Sequence, residues 1–456
     1  MMAAVTNAQA ANPRRNQVIG LFCQSCRPIR SHTHNGAVPS VLRALNRDAW
    51  LLFATRFTRL FAYGALSVVL VFYLVGIGLR ESEIGMLLTA TLVGDTLVSL
   101  YLTTRADRIG RRRMLIVGAA LMAAAGLAFA FTTTLSLLVV AGTIGVISPS
   151  GGEVGPFLSI EQAALSHVVT NQNRTEVFAW YTLAGSLATA LGALAGGTVS
   201  QALQQQGSMA PVASYRAIVV LYAALGGLLA MLFTRVSPAA EAVTRGERRA
   251  PAMTLAGLSG LEHSRRVVFK LSGLFALDSF GGGFVIQSFA AYWFYLRFGV
   301  GPEALGVVFF AANVLAGISA LLASRLATRF GLLNTMVVTH LPSNVLLILV
   351  PLMPNLPLAV ALLLVRFSIS QMDVPTRQSY VMAVVTPDER SAAAGITGVA
   401  RTLGASISPL FAGLLFARPS LINVPFMLAG TLKIVYDLLL YREFSAVRPP
   451  EERASK

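Results

Sequence analysis

Charge is scarce in this chain. Only 12% of its 456 residues are Asp, Glu, Lys or Arg, against roughly 25% in a typical soluble domain. So few charged groups cannot cover a compact water-soluble surface, which excludes an ordinary soluble enzyme. Lysine is nearly missing: of 36 basic residues, only Lys270, Lys433 and Lys456 are lysine. The first 47 residues hold no acid. Cysteine is confined to Cys23 and Cys26, so no disulfide framework supports the rest of the chain. Catalytic motifs are also missing. There is no phosphate-binding glycine loop, no His-x-x-Glu-His-type metal helix and no Gly-x-Ser-x-Gly elbow, and His167, His263 and His340 stand isolated. The expectation is a protein that is not an enzyme and needs no cofactor.

What is abundant is apolar sequence: 55% hydrophobic residues and a mean hydropathy of +0.67. A membrane-spanning helix needs roughly 20 apolar residues, and twelve segments of that kind can be read. They run at about 50–79, 84–104, 113–133, 136–168, 176–203, 213–235, 268–298, 302–326, 332–354, 357–385, 390–416 and 420–441. The polar stretch 236–267, with Arg245, Glu247, Arg248, Arg249, Glu262, Arg265 and Arg266, separates six from six. The expected fold is an all-α polytopic membrane protein of twelve transmembrane helices in two pseudo-symmetric six-helix bundles. Its parts are a basic tail (1–49), a first bundle (50–235), a central loop (236–267), a second bundle (268–441) and a second tail (442–456).

The two halves resemble each other. A shift of 216 brings TNQNRT (170–175) onto TPDERS (386–391), Gln162 onto Gln378, and GALAGG (192–197) onto SPLFAG (408–413). A shift of 221 brings DRIG (107–110) onto TRFG (328–331). Tandem six-helix repeats of this kind build transporters with a central pseudo-twofold axis. Orientation follows from arginine. If the N-terminus is cytoplasmic, the inner loops collect Arg105, Arg108, Arg111, Arg112, Arg113, Arg174, Arg325, Arg329, Arg390, the central loop and both tails. The outer loops hold Arg80, Arg216, Arg297 and Arg418. That asymmetry places both termini inside. It also accounts for the net charge of +16 without nucleic-acid binding. A bacterial inner membrane is the simplest location, with the lipid bilayer as partner and a monomer as the expected state.

The arginine-rich first 47 residues fit three readings: a disordered cytoplasmic tail or an early start, an organellar transit peptide, or a weak zinc site at Cys23, Cys26, His32 and His34.

Between the second and third segments stands Asp107-Arg108-Ile109-Gly110-Arg111-Arg112-Arg113. Gly110 suits a tight turn, and the arginines pin the loop at an anionic lipid surface. This motif, twelve segments and a basic central loop resemble the major facilitator superfamily over residues 50–441. A degenerate second copy runs from Ser324 to Gly331, with Thr328 in place of the Asp. The resemblance implies alternating access, with two bundles rocking around a cavity lined mainly by helices 1, 4, 7 and 10. It also implies a cytoplasmic gate of Asp107, Arg108, Gly110, Arg111, Arg112, Glu161 and Arg377, with Glu161 pairing loop arginines such as Arg108 or Arg112.

Charged residues inside apolar segments are costly, and they face a cavity or a partner. Those here are Arg56, Arg59, Asp95, Glu153, Glu161, Asp278, Arg366, Asp373, Arg377, Arg401, Lys433 and Asp437. Spacing of four suggests the pairs Asp373–Arg377 and Lys433–Asp437. Arg59 and Arg366, near mid-membrane, are candidates to line the cavity, with Tyr292 and Trp293 from the aromatic run of the seventh segment. Desolvation disfavours a charged carboxylate and a nearby arginine favours it, so Asp278, Glu153, Asp95 and Asp373 are candidates for proton coupling. Asp278 ranks first, having no base nearby in its own helix. Glu153 lies in a Pro- and Gly-rich stretch (148–156) that must kink or unwind its helix, with Arg366 or Arg59 as its expected partner. The expected activity is proton-coupled export of a small organic molecule, an antiporter-type efflux. Uptake of an anionic metabolite is the alternative within the fold, and a non-transporting sensor or scaffold the alternative outside it. Unpaired cavity arginines would favour the anion.

Overall fold

The computed structural model describes residues 45–169, 174–237, 261 and 263–445. Cys23, Cys26, His32 and His34 lie outside the described residues, as do most of the central loop, the second tail after 445 and the side chains of Asp107, Arg108 and Arg174.

The first three spans are the helices Arg47–Gly76, Glu81–Ile109 and Arg111–Phe131. The fourth consists of two short helices, Leu135–Ile144 and Phe157–Val168, on either side of an irregular stretch. The fifth and sixth are Arg174–Gln205 and Pro211–Thr234. In the second half, the seventh span is Arg265–Gly283 and Gln287–Phe298, and the eighth and ninth are Pro302–Phe330 and Leu332–Leu349. The tenth is again divided, Leu356–Ser370 and Asp373–Val384, followed by Arg390–Phe416 and Val424–Phe444. Among the described residues, eleven helical segments are long and apolar enough to cross a membrane. The interrupted fourth span brings the count to twelve.

Local chemistry explains the breaks. In the fourth span, Pro149 and Pro156 have no amide hydrogen to donate, and Gly151 and Gly155 take φ of 69° and 81°, a conformation that side chains with a Cβ resist. Glycine also reveals the repeat. Gly78 and Gly110 have positive φ after the first and second spans, and Gly299 and Gly331, each 221 residues later, do the same after the seventh and eighth.

Large apolar side chains cover the outside: Phe131, Val338 and Leu97 are 76%, 68% and 60% exposed, as a lipid-facing belt requires. The halves meet most closely at the ends of the spans remote from the arginine-rich loops. There a Cβ on Gly85 would lie 2.4 Å from the Pro409 carbonyl oxygen and 2.9 Å from the Gly413 Cα. A Cβ on Gly197 would lie 2.3 Å from the Pro302 carbonyl oxygen and 2.9 Å from the Gly306 Cα. Small residues let helix backbones approach this closely. The two contacts are copies of one another, since Gly306 follows Gly85 by 221 and Gly413 follows Gly197 by 216. Hydrogen bonds complete this seal. Gln287 donates to Ser67 at 2.7 Å, Tyr292 to Glu81 at 2.7 Å, and the Ser288 amide to the Pro149 carbonyl at 3.2 Å.

Candidate functional site

A central cavity of about 1080 Å³ lies between the halves. Arg56, Asp95, Glu153 and Gln162 line it from the first half, and Gln287, Asn313, Arg366, Gln371 and Arg401 from the second. It extends past Thr103, Thr104 and Gln162 toward the arginine-rich loops. There it adjoins a space of about 1090 Å³ bordered by Thr328, Arg377, Gln378, Arg390 and Arg401. The unwound stretch of the fourth span, Ser150 to Gly155, forms part of the wall. Its freed backbone groups are tolerated because they face a polar cavity instead of lipid.

Behind the wall, each half holds a buried ion cluster. In the first half Arg59 is fully buried and reaches Glu161 with both terminal nitrogens, Nη1 to Oε1 at 2.7 Å and Nη2 to Oε2 at 2.8 Å. Glu161 also accepts from Thr55 at 2.9 Å and Tyr181 at 2.6 Å. Glu153 pairs with Arg56 at 2.7 Å and Arg59 at 3.2 Å. Arg56 and Arg59 in turn lie over the rings of Tyr181 and Phe157, 4.5 and 4.7 Å from their centroids.

In the second half Asp278 is 4% exposed and surrounded by basic side chains. Lys433 from the twelfth span lies 2.6 Å from Oδ1, Arg377 from the tenth 2.8 Å from Oδ2, and His340 from the ninth 3.7 Å from Oδ1. Arg377 lies 3.4 Å from Asp373. Asp437 meets His340 Nδ1 at 2.8 Å and accepts from Asn344 at 3.0 Å. The halves thus repeat one arrangement with the charges exchanged. An arginine of the first span holds an acid of the fourth, and an acid of the seventh holds an arginine of the tenth, with Glu161 and Arg377 again 216 residues apart.

Several sequence expectations need correction. Arg59 does not line the cavity; it is buried behind it, drawn in by Glu161. Glu161 pairs with Arg59 instead of a loop arginine, while Arg112 donates to the Thr234 carbonyl at 2.6 Å. Tyr292 and Trp293 also lie away from the cavity. Tyr292 belongs to the seal between the halves, and Trp293 is fully buried against Phe426, donating to Asn423 at 2.9 Å. Lys433 and Asp437 do not pair with each other, since interhelical partners claim both. Glu153 takes Arg56 together with Arg59, leaving Arg366 out. Asp278, with no base nearby in its own helix, receives Arg377 and Lys433 from two other spans and the His340 imidazole from a third. Gly110 makes the turn between the second and third spans at φ 116°. Asp373 and Arg377 are together, as spacing suggested.

Three cavity-facing charges lack a counter-ion. No carboxylate lies within ion-pair distance of Arg366 or Arg401 among the described residues, and neither Nε has a hydrogen-bond partner. Arg366 rests on the Phe367 ring, 5.2 Å from its centroid. Asp95 is 8% exposed, and its Oδ1 has no partner. Sequence reading missed His340 and Asn344. Two polar residues spaced four apart in an otherwise apolar ninth segment were the available clue.

Two six-helix halves, sealed at one end and enclosing a polar cavity open toward the other, define a membrane transporter of the two-bundle class. The chain belongs to the Major Facilitator Superfamily: the family model matches residues 52–409 and, in a second match, 288–456. A relative in Saccharomyces cerevisiae, the uncharacterized membrane protein YJR124C, is 32% identical over 430 residues, covering 89% of this chain and 96% of the relative. Similar folds occur in the nucleoside transporter NupG (TM-score 0.70, 13% identity, 88% of this chain and 99% of that one). They also occur in a D-xylose-proton symporter (TM-score 0.65, 17% identity, 86% and 97%). A third is the human organic anion transporter MFSD10 (TETRAN) (TM-score 0.58, 17% identity, 88% and 100%). At these identities the likeness establishes the fold.

Proposed function

We propose that the chain is a secondary transporter that carries a small organic anion, with a proton, by alternating access. The observation that carries this reading is the pair Arg366 and Arg401, which face the central cavity with no acid within ion-pair distance among the described residues. A guanidinium without a counter-ion at membrane depth is expensive, and a carboxylate or phosphate with two oxygens suits its fork of donors. The Phe367 face beside Arg366 accommodates an apolar body. An anion therefore displaces a cationic or neutral compound as the favoured substrate. The second reading, proton-coupled export of a cationic compound, keeps one observation in its favour: Asp95, an unpaired carboxylate on the same cavity wall. The arginine asymmetry of the loops supports cytoplasmic termini, which makes the open end of the cavity the cytoplasmic one. The yeast relative gives no support to a bacterial inner membrane in particular, and the reading does not depend on it. The domain divisions at 235 and 268 and the gating role of the second-to-third-span loop belong to the same proposal.

The test is uptake into proteoliposomes of radiolabelled mono- and dicarboxylates, phosphate esters and organic cations, under an imposed pH gradient. Wild type is compared with Arg366→Gln and Arg401→Gln. A hydrogen bond to a charged group contributes about 1.5–3 kcal/mol, so each variant should raise the KM for the anion by about tenfold to 150-fold. Transport of cations with no transport of anions would reject the anion reading in favour of export.

A further inference from the structure

We infer that the second half contains a one-proton site, centred on His340 and Asp437 behind the cavity wall, and that an anion in the cavity and this proton promote each other's binding. The coupling rests on the anion reading above; the proton site does not.

Charge counting within ion-pair distance makes the argument. The first-half cluster has two cations, Arg56 and Arg59, and two acids, Glu153 and Glu161, and is neutral as it stands. The second-half cluster has three acids, Asp278, Asp373 and Asp437, and two permanent cations, Arg377 and Lys433. One buried negative charge is left over, and uncompensated buried charge is strongly unfavourable. His340 sits where the missing positive charge is needed, 2.8 Å from Asp437 and 3.7 Å from Asp278. One added proton, on the imidazole or shared with Asp437, makes this cluster neutral like its counterpart.

The groups that face His340 are known from each neighbouring span. The twelfth gives Lys433, Asp437 and Tyr436, whose ring meets the imidazole edge-on at 5.9 Å. The seventh gives Asp278, and the tenth gives Asp373 and Arg377, with Arg366 farther out. The eleventh gives Arg401, and the eighth carries its charges at its ends as Glu303, Arg325 and Arg329. Arg366 and Arg401 both interact electrostatically with Asp278 and Asp373. Their positive field opposes a further proton, and an anion bound to them cancels that field. By reciprocity the proton strengthens anion binding by the same factor, which is the sign cotransport requires. Asp278 makes the physical link: one oxygen faces Lys433 and His340, and the other holds Arg377, which borders the adjoining space.

The test uses the full chain in lipid nanodiscs with ¹⁵N-labelled histidine. The signal absent from His340→Gln is that of His340, and His340→Asn replaces this variant if it fails to fold. Without ligand, the imidazole signal is expected to switch between neutral and cationic forms as the pH is varied. Asp437→Asn is expected to move that transition to lower pH, because an adjacent negative charge that favours the cation is lost. A signal fixed in one form throughout, or a transition indifferent to Asp437→Asn, would overturn the proton site. Repeating the titration with 10 mM benzoate should move the transition to higher pH. No shift with benzoate, beside an intact ligand-free transition, would overturn the coupling to a cavity anion while the proton site stands.

Discussion

Replacing Glu161 with Gln tests how the first-half cluster is held together. The carboxylate accepts four hydrogen bonds, two from Arg59 and one each from Thr55 and Tyr181. The amide can keep those made to its oxygen, but its NH2 group must face a donor, and one unit of positive charge is left among Arg56, Arg59 and Glu153. Two lost bonds to a charged acceptor, at about 1.5–3 kcal/mol each, agree with the roughly 3–5 kcal/mol expected when one partner of a buried pair is removed. For a folded unit the size of this half, each kcal/mol lowers the melting temperature by about 2–4 °C, so the variant should melt roughly 10 °C below wild type. The assay is fluorescence-detected thermal unfolding of the solubilised full chain. The decisive comparison is Arg59→Gln/Glu161→Gln. This double variant leaves Arg56 and Glu153 as a neutral pair 2.7 Å apart, so it should recover more than half of the loss caused by either single change. A double variant as unstable as the sum of the singles would refute the charge-matching argument. So would a Glu161→Gln variant that melts within 2 °C of wild type.

Two further outcomes follow from the packing. Gly413→Val would set a side chain 2.4 Å from the Glu81 carbonyl oxygen, so spin labels on the ends of the second and eleventh spans should move apart, with the population shifted away from the sealed state; unchanged distances would refute the role of this seam. Trp293→Ala should destabilise by about 3–5 kcal/mol through the cavity it leaves, seen as a lower melting temperature, while the substrate KM stays within twofold; a large change in KM would put Trp293 back at the cavity.

The twelve spans, the two-fold repeat and the unwinding of the fourth span were legible because they depend on local properties: apolar length, arginine distribution, and Pro and Gly in series. The candidate site was legible only as a set of costly residues. Arg56, Asp95, Glu153 and Arg366 do line the cavity, while Arg59, Tyr292 and Trp293 do not, since helix rotation decides which side a residue faces and no period in the sequence records it. The pairing of Lys433 with Asp278, and of Asp437 with His340, joins residues 155 and 97 positions apart. Spacing of four gave a plausible local partner for Lys433, but in the fold its ammonium reaches Asp278 on the seventh span while Asp437 turns to His340 and Asn344 on the ninth. Asp373 and Arg377 were readable in advance because both lie on one helix.

The placement of the buried charges also bears on the speed of the transport cycle. Among the described residues, every buried ion pair joins spans of the same half, whereas the halves meet through glycine backbones and a few hydrogen bonds between uncharged donors and their acceptors. A relative motion of the halves can therefore open the seal at roughly 0.5–1.5 kcal/mol per neutral hydrogen bond and about 1.5–3 kcal/mol for the one to Glu81, without separating any pair whose rupture would cost about 3–5 kcal/mol. Each half keeps its own ion pairs intact as it turns, so the barrier between two end states is set by the weaker contacts of the seam and not by the strongest interactions in the molecule.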